Sequence, residues 1–145
     1  MGKSSFWFKL GAWAFIVTAG LHLFGHFQEK APPSNEAQRQ LHALMESEKL
    51  VVGGIERSTW DFLNGFSLTF AVFSLFTGLV GLAVAYRGDA ALRRSTLILQ
   101  CALAGILLAL SLRYFIQPPI ISFGFIFACY LMALVLDRRA PAGAD

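Results

Sequence analysis

The chain has 145 residues, 56% of them hydrophobic and 14% charged, with a formal net charge of +3 and a mean hydropathy of +0.58. Soluble domains carry about 25% charged residues, so this composition excludes an ordinary soluble domain. The basic excess has neither a basic face nor a recognised motif behind it, which excludes nucleic acid as a partner.

Four apolar runs absorb the missing charge, over residues 6–27, 60–86, 95–115 and 120–136. A spanning helix needs roughly 20 apolar residues. The first and third runs fit that length, and the second is long enough to tilt or project. The fourth is short and borrows Ile116 or Asp137 at its ends. Lys3 and Lys9 accompany the first run as in a signal peptide, but the run exceeds a usual h-region and no small-x-small site follows it. It is read as an uncleaved first span. Position 6 is Phe6 rather than Ser or Thr, so Met1-Gly2 makes no myristoylation signal.

Along the first span, Gly11, Phe15, Thr18, His22, Gly25, His26 and Glu29 share one helical face. His22 lies about one and a half turns from the outer end, roughly 8 Å deep at the rise of an α-helix.

The loop over residues 28–58 is too long to be structureless in a compact domain. Ala31-Pro32-Pro33 breaks the first span. Ser34 or Asn35 can cap a following helix, with Glu36 in its first turn. Leu41, Leu44, Met45, Val51 and Val52 recur at helical spacing, and Gly53-Gly54 ends the pattern. This predicts an amphipathic helix on the outer interface. Its role is either to cover helix ends or to act as a lid.

Ser58 and Asp61 resemble a capping box at the start of the second span, with Asp in place of the usual Glu or Gln. Trp60 suits the aromatic belt. Phe62, Phe66, Phe70 and Phe73 then form a bulky stripe. Ser67, Ala71, Ser74, Gly78 and Ala85 form a small one that lets helix backbones approach closely. Asp61, Asn64, Gly65 and Leu68 share a face at the same end. The third span follows a basic loop over 87–94. Its small stripe of Ala102, Gly105 and Ala109 predicts an inward-facing Arg113, again roughly 8 Å from the end. Outward snorkelling is the alternative for that side chain. Gln117-Pro118-Pro119 reads as a tight turn into the fourth span, where Gly124 and Ala128 repeat the small spacing. Cys101 and Cys129 lie inside spans. No C-x-x-C is present, so they read as small buried hydrophobes.

The fold class is therefore all-α, an integral membrane four-helix bundle with an amphipathic helix in the outer loop. Residues 1–139 form one membrane domain, and 140–145 a flexible polar tail. Lys3, Lys9, Arg87, Arg93, Arg94, Arg138 and Arg139 fall on one side of the four spans. The opposite loop sets Lys30, Arg39, Lys49 and Arg57 against five glutamates. The positive-inside rule then places both termini in the cytoplasm.

His22, His26, Asp61, Asn64 and Arg113 lie near one end of the spans, and polar groups at membrane depth mark candidate sites. A buried charge needs a partner, so an Arg113–Asp61 pair is one structural account. A second makes these five residues the head-group site of a lipophilic ligand (lipid, quinone or sterol-like) with phenylalanines walling its tail. Metal is a third, since His22-x-x-x-His26 puts two imidazoles on one face with Asp61 or Glu29 as third ligand. A nearby guanidinium opposes a cation, so no metal is assigned, and no cofactor is named. An acid–base enzyme is a fourth reading, but no nucleophile or leaving group is identifiable. A continuous pore is disfavoured because no span is polar along its length.

The run Gly20-Leu21-His22-Leu23-Phe24-Gly25-His26, with Trp60-Asp61-Phe62-Leu63-Asn64-Gly65-Phe66-Ser67-Leu68, resembles small uncharacterised four-span membrane proteins of bacteria. In those a first span ending in histidines precedes an outer loop and a W-D-F-x-x-G-F start to the second span. The resemblance implies the four-span fold, a place in a bacterial inner membrane and no particular activity. In topology alone the chain is similar to the sterol-isomerase and sigma-2-receptor superfamily, although the acidic pairs within those spans have no counterpart here. The expected function is binding of a hydrophobic small molecule in an outer-leaflet polar pocket. The alternative is a structural or assembly subunit, with a membrane-protein partner or further copies of itself.

Overall fold

The computed structural model describes residues 2–28 and 33–138. Glu29, Lys30, the Ala31-Pro32 part of the expected break, and Arg139 with the tail at 140–145 lie outside the described residues. In chain order the elements are α1 (Lys3–Gln28), α2 (Glu36–Ser47), β1 (Lys49–Val52), β2 (Ile55–Ser58), α3 (Thr59–Arg87), α4 (Ala90–Tyr114) and α5 (Gln117–Arg138). Helices α1, α3, α4 and α5 are long and apolar enough to cross a membrane. The shortest of them, α5, has 22 residues. At about 1.5 Å per residue it still matches a hydrocarbon core of about 30 Å. The chain is an all-α, multi-pass membrane protein.

Two compact units divide the chain. One comprises residues 1–18 and 74–145 and draws on all four long helices. Its core centres on Tyr130, which is fully buried. The ring sits 6.0 Å from that of Phe8 and 6.2 Å from that of Phe15. Gly11 makes room for it, since a Cβ there would fall 2.8 Å from the ring. Gly78 of α3 lies against Ile16 and the Ala12 carbonyl, and Gly81 against Gln100 and Ala12. These contacts are the close backbone approach expected of the small stripe on α3. Ala71, Ser74, Gly78 and Ala85 of that stripe are all buried.

On α4 the expectation fails. Ala102 and Ala109 are exposed, whereas Leu97, Gln100, Cys101, Ala104 and Ser111 are buried. The packed face lies one residue away from the predicted one, about 100° around the helix. Cys101, Ala104 and Ser111 are themselves small, so composition alone did not distinguish the faces. Arg113 consequently does not point inward. It is exposed in the last turn of α4, with the Tyr114 ring 5.9 Å away. Gly105 rests on Phe127 and Gly124 on Leu108, which join α4 to α5. Ala128 is exposed.

Two boundaries also move. α4 begins at Ala90 because Asp89 caps it, accepting from the Leu92 N–H at 2.7 Å. Arg93 and Arg94 therefore belong to the helix and not to a loop. Pro118 and Pro119 open α5 instead of forming a turn before it. Proline suits the first helical turn, where its missing N–H has no helical partner to lose.

The second unit is residues 19–73. It holds the end of α1, all of α2, the β1–β2 hairpin and the start of α3. Asn35 caps α2, accepting from the Gln38 N–H at 2.8 Å. That helix ends at Ser47, so Val51 and Val52 are not part of it. They pair with Glu56 and Ile55 in an antiparallel hairpin. Gly53 and Gly54 take φ of 60° and 80°. A two-residue hairpin turn of this hand needs positive φ at both positions, which glycine supplies without steric cost. β-branched residues flanking Gly-Gly were the signal for a hairpin.

Candidate functional site

The second unit contains two separate polar arrangements. One is a hydrogen-bonded centre between α1 and α3. His22 Nε2 lies 3.0 Å from Ser67 Oγ, and His26 Nδ1 lies 3.1 Å from the same oxygen. His22 and His26 are one turn apart on α1, so both reach a single residue of α3. His22 also packs edge-on to Phe70, with ring centroids 4.8 Å apart. His26 is 4% exposed, and its Nε2 is buried without a hydrogen-bond partner among the described residues.

The other arrangement is a groove of about 590 Å³ on the start of α3 beneath the hairpin strands. Lys49, Glu56, Arg57 and Asp61 line it together with Phe62, Gly65, Phe66 and Thr69. Ligand clefts typically span about 300–1,000 Å³. The lining divides by position. Strand residues and the first helical turn contribute four charges, and the next two turns contribute two phenyl rings, a glycine and a threonine. Lys49 and Arg57 both act coulombically on the Asp61 carboxylate. Among the described residues none of the four charges closes an ion pair within 4.0 Å. Gly65 leaves the floor open, since a Cβ there would meet nothing within 4 Å.

Asp61 is exposed and lines this groove, but its carboxylate is engaged in the cap. Oδ2 accepts from the Ser58 hydroxyl at 2.8 Å and the Ser58 N–H at 3.2 Å. The Asp61 N–H donates back to Ser58 Oγ at 3.0 Å. Asn64 is half-buried and donates from Nδ2 to the Trp60 carbonyl at 2.9 Å, one turn back on its own helix. The Trp60 ring lies 3.9 Å from that of His42, which ties α2 to the start of α3. The five expected site residues thus separate. His22 and His26 converge on Ser67, Asp61 joins the groove, Asn64 bonds the Trp60 carbonyl of its own helix, and Arg113 belongs to the other unit.

Among the described residues, no three or more His, Cys, Asp or Glu side chains converge as a metal site. Asp61 is turned to Ser58 and does not complete the His22–His26 pair; Glu29, the other expected third ligand, lies outside the described residues. Ser67 was assigned to packing by its spacing and is the centre of the histidine arrangement. Lys49, Glu56 and Arg57 were missed because their convergence depends on the hairpin.

No protein-family model, curated protein or solved structure matches the chain.

Proposed function

We propose that the protein binds a lipophilic amphiphile in the groove on α3, its charged head at Lys49, Glu56, Arg57 and Asp61 and its tail along Phe62 and Phe66. The observation that carries this reading is the division of the groove lining into a charged end and an aromatic one. Two cations and two carboxylates, none paired with another, suit a head that bears both signs of charge. In this reading the groove faces the outer leaflet of a bacterial inner membrane with both termini cytoplasmic; the Lys/Arg bias supports that orientation.

Gly65→Trp tests the proposal directly. Gly65 lines the groove and a Cβ there meets nothing within 4 Å, so a large side chain can be started there without a backbone clash. Native mass spectrometry of the protein released from membranes is expected to show a retained amphiphile on the wild type and its loss from Gly65→Trp. Equal retention by both overturns the reading.

One observation favours a second reading, that of a subunit in a larger membrane assembly. Val52 and Ile55 at the hairpin tip are 78% and 60% exposed, and α2 buries no residue. A stoichiometric protein partner in the same spectra, lost on Val52→Lys and retained on Gly65→Trp, supports that reading over the first.

A further inference from the structure

The four charges of the groove on α3 are unequally engaged, and the imbalance selects the kind of head that fits. Asp61 is the most heavily engaged. Its Oδ2 accepts twice from Ser58, and Lys49 and Arg57 both act on it coulombically. Arg57 is partly used, with Nη1 donating to the Glu56 carbonyl at 2.7 Å. Among the described residues, the Glu56 carboxylate and the Lys49 ammonium close neither an ion pair nor a side-chain hydrogen bond. Glu56 is thus the carboxylate with acceptors to spare, and Lys49 the cation with donors to spare.

The hairpin register fixes how these two are disposed. Lys49 stands opposite Ser58, and Val51 opposite Glu56. Directly opposed residues of an antiparallel pair share a face, and so do residues two apart on one strand. Lys49 and Glu56 therefore project from the same face as diagonal neighbours, about 7–8 Å apart at the backbone. Both line the groove, yet they do not close on each other. A single short dipolar head, with its anion on Lys49 and its cation on Glu56, satisfies both.

Other heads leave a charge unmet. Two cations and two carboxylates sum to zero, so an anionic glycerol head leaves Glu56 facing no cation. A serine head brings a further carboxylate beside Glu56 and Asp61. A choline head has no N–H to donate, and quaternary ammonium is held by aromatic faces, whereas the strands contribute no ring to the lining. A primary ammonium consists of donors and a carboxylate of acceptors, and bonds between them are roughly twice as strong as neutral ones.

We propose that the groove holds an aminophospholipid of the ethanolamine type, its phosphodiester on Lys49 and Arg57 and its primary ammonium on Glu56. A short ethylene bridge joins the two charged groups of that head, which suits a cation and a carboxylate on neighbouring strand positions. The acyl chains run from there along Phe62 and Phe66. This assignment names the ligand of the groove and rests on the groove being the binding site.

The test titrates the delipidated full chain in detergent with phosphatidylethanolamine, phosphatidylcholine, phosphatidylserine or phosphatidylglycerol of one acyl composition, and reads binding by native mass spectrometry. Phosphatidylethanolamine is expected to bind about tenfold more tightly than the other three, the worth of one charge-assisted hydrogen bond. Glu56→Gln alters an exposed strand position and is expected to erase that preference while phospholipid still binds. Lys49→Gln is expected to weaken all four lipids. A preference that survives Glu56→Gln overturns the assignment of the ammonium. Gly65→Trp separates the two levels of the reading. Should it weaken every lipid while the wild type shows no preference among heads, the groove stands and the aminophospholipid falls. Should it leave binding unchanged, the groove falls and the assignment with it. Water-soluble glycerophosphoethanolamine keeps the head without the chains and is expected not to displace bound lipid at equal concentration. Full displacement would make a soluble phosphodiester the ligand and overturn the lipid.

Discussion

Ser58 and Asp61 bond each other in both directions, the serine donating twice to one carboxylate oxygen and the aspartate N–H donating back to the serine hydroxyl. This is a capping box in which Asp does the work usually given to Glu. Removing either partner frees orphan donors at the start of α3. Ser58→Ala and Asp61→Ala are each expected to cost about 1 kcal/mol. The double variant is expected to cost clearly less than the sum, because the two changes break the same bonds. Asp61→Glu is expected to retain most of the stability. Reversible unfolding of the wild type and the four variants in mixed micelles checks this, and strict additivity would show that Asp61 acts elsewhere.

Two glycines of α3 have opposite surroundings, and their substitutions are expected to diverge. A Cβ on Gly78 would fall 2.6 Å from Ile16 Cγ1 and 2.7 Å from the Ala12 carbonyl oxygen. The side chain can shift but the backbone oxygen cannot, so Gly78→Ala is expected to destabilise by about 1–3 kcal/mol. Gly65 faces open space, and Gly65→Ala gains helix propensity of up to about 1 kcal/mol. Thermal unfolding of both variants in the same detergent checks the opposite signs.

How much of this was legible in the sequence differs by element. The four long helices were, because hydropathy acts over whole turns and survives errors of a few residues at each end. The small stripe on α3 was also legible, since Gly78 and Ala85 leave little choice of face. The face of α4 was not. Ala102 and Ala109 compete with Cys101, Ala104 and Ser111 on nearly equal terms, and only the neighbouring helices decide. Val51 and Val52 fit a helical period by coincidence, while Gly53-Gly54 marked a hairpin turn as readily as a helix end. Asp61 as a cap followed from local spacing. The meeting of His22, His26 and Ser67 did not, because it depends on how α1 and α3 are rotated against each other.

Tyr130 offers a test of buried polarity. Its side chain is fully buried and its hydroxyl has no hydrogen-bond partner among the described residues. A donor sealed in this way contributes nothing to offset its desolvation, whereas the ring packs against Phe8, Gly11 and Phe15. Tyr130→Phe keeps the ring and is expected to be neutral or to stabilise by about 1 kcal/mol. A loss of more than about 1 kcal/mol in an unfolding titration would reveal a partner for the hydroxyl, such as an internal water.

The His42 ring packs at a tilt against that of Trp60, while α2 buries no residue of its own. The attachment of α2 to the start of α3 therefore leans on few contacts, and such segments open at low free-energy cost. His42→Ala is expected to speed hydrogen exchange across residues 36–47 by about tenfold, equivalent to the loss of about 1.4 kcal/mol. Exchange in α4 and α5 is expected to stay unchanged. Mass-resolved exchange by segment measures both, and uniform acceleration along the chain would show that the His42–Trp60 contact supports more than α2.

The turn of the hairpin governs the charged end of the groove, because Lys49 lies on one strand and Glu56 and Arg57 on the other. Gly53 has φ of 60°, a conformation that costs most L-residues about 1–2 kcal/mol but is open to asparagine. Gly53→Asn is thus expected to preserve both hairpin and amphiphile retention. Gly53→Val adds a β-branched side chain at a position where φ is positive. It is expected to shift the strand register or open the turn, which separates Lys49 from Arg57 and lowers retention at least severalfold. The spans are far from the turn in sequence and are expected to keep their helical circular dichroism in both variants. Amphiphile retention in native mass spectra, compared at equal helicity, distinguishes a groove built by the hairpin from one that α3 forms alone. Full retention by Gly53→Val would mean that the strand charges take no part in holding the head.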